Sequence, residues 1–250
     1  MQAFVALVRR ELGSFFKAWT GYIIIAGVAF LLGVGFWSML EAFNSESTPV
    51  PLTRLFFQAP YFWAILVFVA PLITMRSFAQ EKSSGTYETL MTTPVGDAQV
   101  VLAKFTSALL FYLLAWLPLL VCIGVVRYYS KDPNSLDLVT LSTTYLGVGL
   151  IGCVYLSIGI FASTMTRSQI ISFMISLAFG LTLLAMSVLS STFATKTGWL
   201  AQVIAHMALV EYMHDFAQGI VDSRPVILYL TLTMFFLFLS WKSVESRRWK

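Results

Sequence analysis

A chain of 250 residues that is 58% hydrophobic and only 11% charged is not a soluble domain, which carries about 25% charged residues. A mean hydropathy of +0.80 makes lipid the solvent for most of it. The net charge of +4 fits loops on the inner side of a membrane rather than a nucleic-acid surface, since no basic patch with interleaved aromatic residues occurs.

Residues 1–19 carry Phe4, Val8, Leu12, Phe15, Phe16 and Trp19 near helical spacing, with Arg9, Arg10, Glu11 and Lys17 elsewhere. This pattern predicts an interfacial amphipathic helix on the cytoplasmic face. With no small-residue cleavage site close behind the first apolar run, the segment is expected to be retained rather than removed as a signal peptide.

A helix needs about 20 apolar residues to cross a bilayer. Six crossings are predicted: Gly21–Leu40, Ala59–Met75, Val100–Val126, Thr144–Met165, Ile170–Ser190 and Pro225–Trp241. Pro71 and Pro118 fall inside two of them, where kinks are tolerated. Six crossings put both termini on one side. With that side inside, eleven of the sixteen Lys and Arg are cytoplasmic, so both termini are expected in the cytoplasm. Met165–Gln169 is then a tight cytoplasmic turn, and residues 192–224 form an extracytoplasmic segment of one or two helices.

Several features read as packing. Cys122 and Cys153 lie in apolar runs and behave as small hydrophobes. The stretch 147-GVGLIG-152 matches a nucleotide-binding pattern but lies inside a crossing with no preceding strand, so its glycines are expected to admit neighbouring helices, as Gly159 and Ser163 do four apart. His206 and His214 are the only histidines, and with Asp215 they form too sparse a set for a metal site. No metal or cofactor site is expected in this chain. No Asp, Glu or His sits mid-crossing, and Lys104 lies near a cytoplasmic end, which disfavours an ion-coupled transporter. No G-x-x-x-x-G-K-[S/T] loop occurs, so ATP-driven work requires a second polypeptide.

The segment 81-EKSSGTYETLMTTPV-95 is polar and lies between two apolar runs. Gly85 suits a left-handed helix end, Thr86 a helix start, and Glu88 a first turn; Tyr87, Leu90 and Met91 give a short apolar face before Pro94, and Asp97 can cap the next helix. The segment reads as a short helix across a cytoplasmic hairpin, or as a solvated loop with two turns.

From Pro71 the chain reads 71-PLITMRSFAQEKSSGTYETLMTTPV-95, with Lys104 following, and later 216-FAQGIVDSRPVILY-229. These stretches resemble the permeases of type-2 ABC exporters, and among them the gliding-motility (GldF) and nitrous-oxide-maturation (NosY) permeases. The likeness covers essentially the whole chain, and its first motif is the more specific. It implies a single all-α integral membrane permease domain of six transmembrane helices in a bacterial inner membrane. It also implies that residues 81–95 are the coupling helix seated in a cytoplasmic ABC ATPase, with Arg76, Glu81, Gly85, Thr86, Glu88, Leu90 and Pro94 matching the motif. Gln80 stands where many relatives carry an acid. The expected partners are that ATPase, which holds the ATP and Mg, a second permease chain (identical or related), the bilayer, and a possible extracytoplasmic protein. The rival readings are a force-transmitting or scaffolding permease of an envelope assembly, and a secondary transporter or channel that works without an ATPase.

Overall fold

The computed structural model describes residues 2–45, 57, 60–87, 96–129, 138–193 and 206–246. Apolar chain in lipid must satisfy its own backbone polar groups, and the described residues do so as helices. α1 (Gln2–Lys17) is followed after Ala18 by α2 (Trp19–Ser45). α3 (Pro60–Thr74) passes through a turn at 75–78 into the short α4 (Ala79–Ser84). Then come α5 (Asp97–Ala115), α6 (Leu117–Tyr129), α7 (Leu138–Met165), α8 (Gln169–Phe193), α9 (Leu209–Ala217) and α10 (Ser223–Ser246).

Six stretches of these helices are long and apolar enough to cross a membrane: Trp19–Ser38, Pro60–Ser84, Asp97–Val125, Val139–Met165, Gln169–Ser190 and Ser223–Ser246. They match the expected crossings one for one and differ at their ends. α7 starts six residues before Thr144 because its first polar turn is helix-compatible. There the Ser142 hydroxyl donates to Val139 O (2.8 Å) and the Thr143 hydroxyl to Thr140 O (3.0 Å). α10 continues past Trp241 to Ser246, with Lys242 and Glu245 paired at 2.7 Å on its last turn.

The two prolines act differently. Pro71 sits in α3 without breaking it; the Met75 N–H still reaches Pro71 O at 2.8 Å. Pro118 has no N–H for Leu114 O and disfavours helical backbone at Leu117. The third crossing therefore breaks at Trp116, where the Leu119 N–H turns back to Trp116 O at 3.1 Å. The buried Trp116 ring fills the break, 5.3 Å from Phe62 and 5.9 Å from Tyr112 between ring centres.

α7 is the central post: 72% of its most apolar window is buried, against 17% for α10. It packs on α3, α5, α8, α9 and α10. Its glycines are where those neighbours approach. A Cβ at Gly147 would stand 2.9 Å from Phe216 Cβ, one at Gly152 would enter the Tyr112 ring, and one at Gly159 would overlap the Thr74 hydroxyl. The expected packing role of 147–152 is what the structure shows.

The two ends of the bundle are distinct. At one, α9 buries Leu209, Met213 and Phe216. The Thr143 hydroxyl donates to Phe216 O (2.9 Å), and the Val210 N–H donates to Ser187 Oγ (2.8 Å). The described part of segment 192–224 is thus a helix sealed onto α7 and α8. At the other end, Phe78, Val100, Val101, Ile160 and Val244 form a second apolar cluster, with Leu7 packed against it. Both terminal helices, α4 and the α7–α8 turn therefore share one end.

α1 departs from a simple surface helix. Leu12 and Phe15 pack into the main core, and Phe15 stacks on Phe111 at 4.6 Å. Trp19 at the elbow is 84% exposed, so the apolar stripe divides between protein and surroundings. The elbow is tight enough that a Cβ at Gly21 would collide with the Phe15 carbonyl.

Candidate functional site

The site lies where α4 meets α1, α5 and α7. After α3 ends, residues 75–78 turn, and α4 begins with backbone donors that have no partner within the helix. The Ser163 hydroxyl of α7 supplies one, accepting from the Phe78 N–H (2.9 Å) and the Ala79 N–H (3.0 Å). The Lys82 ammonium donates to Thr164 O near the C-terminus of α7, where the helix dipole favours a cation. α4 is therefore tied at both ends to the central post.

α4 stops at Gly85, whose φ of +76° is readily reached only without a Cβ. Thr86 turns back toward α4, its hydroxyl 2.9 Å from that of Ser84. Thr86 and Tyr87 are helical, and Gly85 and Thr86 are exposed. Glu88, Leu90 and Pro94 lie outside the described residues. Where the chain resumes, Gly96 rather than Asp97 is the cap of α5; Asp97 is its first helical residue, and its charge still favours the positive helix end.

Beneath this hairpin is a buried ion cluster. Lys104, two turns into α5, has a side chain only 3% exposed. Its ammonium donates to Glu81 Oε1 of α4 at 2.7 Å and to Glu11 Oε2 of α1 at 3.2 Å. It also lies 5.2 Å from the centre of the Phe78 ring. Arg10 closes the cluster, 2.7 Å from Glu11 Oε1 and 3.8 Å from Glu81 Oε1. Burial pushes the Glu11 carboxyl up, but Lys104 and Arg10 outweigh it and hold the group below its ordinary range. A charge this buried persists only when paired, so three helices meet at one ammonium.

Next to the cluster is a cavity of about 660 Å³ lined by residues of α1, the α1–α2 elbow, the 75–78 turn, α4 and α5. Arg76 reaches across it to the Thr20 hydroxyl of α2 (2.8 Å). Of the residues named by the sequence, Arg76, Glu81 and Thr86 line this cavity, and Gly85 ends α4 beside it. Glu81 points inward, to Lys104.

No sequence pattern marks Glu11, Lys104 or Ser163 as members of a site. Their signal was faint but present: a lone lysine two turns into an apolar run needs an acid at the same depth, and Glu81 and Glu11 lie in the flanking segments. Among the described residues there is no group of three His, Cys, Asp or Glu that could hold a metal, and Cys122 and Cys153 are free thiols.

The family profile described as "ABC-2 family transporter protein" matches residues 18–244. The chain belongs to the ABC-2 transporter family. No curated protein matches it. As an ABC-2 protein it is a membrane transport subunit and not an enzyme, and its all-α, six-crossing bundle is consistent with a type-2 permease. The match takes in the whole hairpin and Lys104; all of α1, with Arg10 and Glu11, precedes it.

Proposed function

We propose that this ABC-2 permease is driven by a separate cytoplasmic ATPase subunit that grips residues 81–95 as a coupling helix, and that it works in the export direction. The observation that carries the reading is the anchoring of the hairpin's root. Glu81 is held by Lys104, the same ammonium that holds Glu11, and the start of α4 is held by Ser163, while Gly85 and Thr86 are exposed. A push at Gly85 and Thr86 is therefore passed through α4 to α1, α5 and α7 together. ATP and Mg belong to the partner, since the chain has no phosphate-binding loop. A six-crossing chain is half of the usual permease, so a second permease chain completes the pathway between them. The Lys and Arg distribution supports both termini, α1 and the hairpin on the cytoplasmic side of a bacterial inner membrane.

A second reading rests on α7. One end of this helix holds α4 through Ser163 and Thr164, and the other holds α9 through Thr143. The same rigid element thus links the hairpin to the opposite face, as a permease that passes force to an extracytoplasmic partner requires. The resemblance to the gliding and nitrous-oxide-maturation permeases supports this form of the function.

The test is the double variant Gly85→Pro with Glu88→Arg in the full-length chain. It removes the left-handed turn at Gly85 and reverses a charge of the sequence motif, and it replaces none of Arg10, Glu11, Glu81 and Lys104. The expected outcome is a folded permease that no longer retains its ATPase in pull-down. Unchanged ATPase assembly and coupled turnover would contradict the mechanism.

A further inference from the structure

α1 divides its surface between the bundle and its surroundings. On the inner face, Leu7 packs against the cluster that holds Val100 and Val101, Glu11 meets Lys104, and Phe15 stacks on Phe111. These contacts follow α5 for about three turns, so α1 lies alongside the first half of a membrane crossing. On the outer face every charge is positive. Arg9, Arg10 and Lys17 are exposed, whereas Glu11, the one acid of the helix, turns inward to Lys104 and Arg10. Val5 and Phe16 are also on the outside, 62% and 38% exposed. At the helical repeat, Val5, Arg9 and Phe16 fall within about 40° of one another around the axis. A guanidinium therefore stands in one strip with two exposed apolar side chains. Water alone does not suit the apolar pair and hydrocarbon alone does not suit the cation; the boundary between headgroups and acyl chains suits both.

We infer that the outer face of α1 docks on an anionic phospholipid leaflet and discriminates it from a zwitterionic one. Arg9 and Lys17 reach the headgroup phosphates, and Val5 and Phe16 enter the acyl boundary beside them. Each cation near an anionic membrane surface strengthens binding several-fold, and a net-neutral leaflet offers no such attraction. An acidic soluble protein would match the cations but not an apolar strip beside a membrane crossing. Selection of leaflet charge goes beyond placement at an interface, and it does not depend on coupling to an ATPase.

The experiment is amide hydrogen exchange, read by mass spectrometry, on the purified full-length chain in phosphatidylcholine nanodiscs. The discs are used alone or with phosphatidylglycerol, phosphatidylserine or phosphatidylethanolamine. Both faces of a disc carry the same lipids, so the orientation of the chain does not enter. Phosphatidylglycerol and phosphatidylserine should each slow exchange of residues 2–17 about tenfold, the scale expected for two cations at an anionic surface, and high salt should reverse most of this. Phosphatidylethanolamine should not slow it, and exchange of α9 at the other end of the bundle should be the same in all discs. Arg9→Gln with Lys17→Gln should abolish the slowing. Val5→Ser, which keeps both cations and the edge-on contact of Phe16 with Phe111, should weaken it. Parent-like exchange of α7 shows that these surface variants are folded. Equal slowing by phosphatidylethanolamine, slowing undiminished in the Arg9 and Lys17 double variant, or slowing matched by soluble polyglutamate in phosphatidylcholine discs would overturn the inference; the last would give the face to an acidic protein instead.

Discussion

Replacing Lys104 by methionine is expected to destabilise the protein by about 3–5 kcal/mol, because it removes one partner of a buried ion cluster and leaves a charge uncompensated. Glu11 keeps Arg10 at 2.7 Å, but Glu81 is left with Arg10 at 3.8 Å and an Oε2 that already lacks a partner. The damage should therefore pass through Glu81. Adding Glu81→Met should recover most of the loss, since a buried pair replaced by apolar side chains of similar volume is often neutral. Adding Glu11→Gln alone should recover less. A double-mutant cycle on thermal unfolding of the detergent-solubilised protein reads these differences directly. A Lys104→Met protein as stable as the parent would mean that the cluster does not hold α1 and α4 to α5.

Gly152 and Gly159 of α7 are expected to separate sharply from Gly27 and Gly33 of α2. Gly152→Ala and Gly159→Ala should each lower stability by about 1–3 kcal/mol through overpacking, because the added methyl enters the Tyr112 ring or meets the Thr74 side chain. Thr74→Ala should restore part of the Gly159→Ala loss by removing the overlapping hydroxyl. Gly27→Ala and Gly33→Ala, where nothing lies within 4 Å of the new methyl, should cost nothing measurable. Unfolding midpoints of the four single variants, measured side by side, check this.

Hydropathy made the six crossings legible because a membrane helix must be apolar over a length that the bilayer sets. The left-handed turn at Gly85 was legible because it is a local property of one residue type. The break at Trp116 was only half legible. Pro118 announces it, but its position depends on where a large ring can be buried between Phe62 and Tyr112. The Lys104 cluster was not legible as a site, since residues 11, 81 and 104 come together only through the relative placement of α1, α4 and α5, which no periodicity records. The same holds for Ser163, read as a small packing residue: its hydroxyl caps a helix more than eighty positions away in the chain. α1 shows the limit of an amphipathic stripe. The pattern marks an apolar face, but Phe15 spends it on Phe111 while Trp19 stays exposed.

The claim that this permease is moved by a separate ATPase is tested most directly by affinity purification of the full-length chain from its native membranes in mild detergent. Co-purified proteins are identified by mass spectrometry and the eluate is assayed for ATP hydrolysis. The account predicts a co-purifying chain with a G-x-x-x-x-G-K-[S/T] phosphate-binding loop, ATPase activity in the eluate, and loss of both in the Gly85→Pro, Glu88→Arg protein. A folded chain that purifies alone and without ATPase activity in every mild detergent tried would contradict it, and would leave residues 81–95 as an ordinary loop.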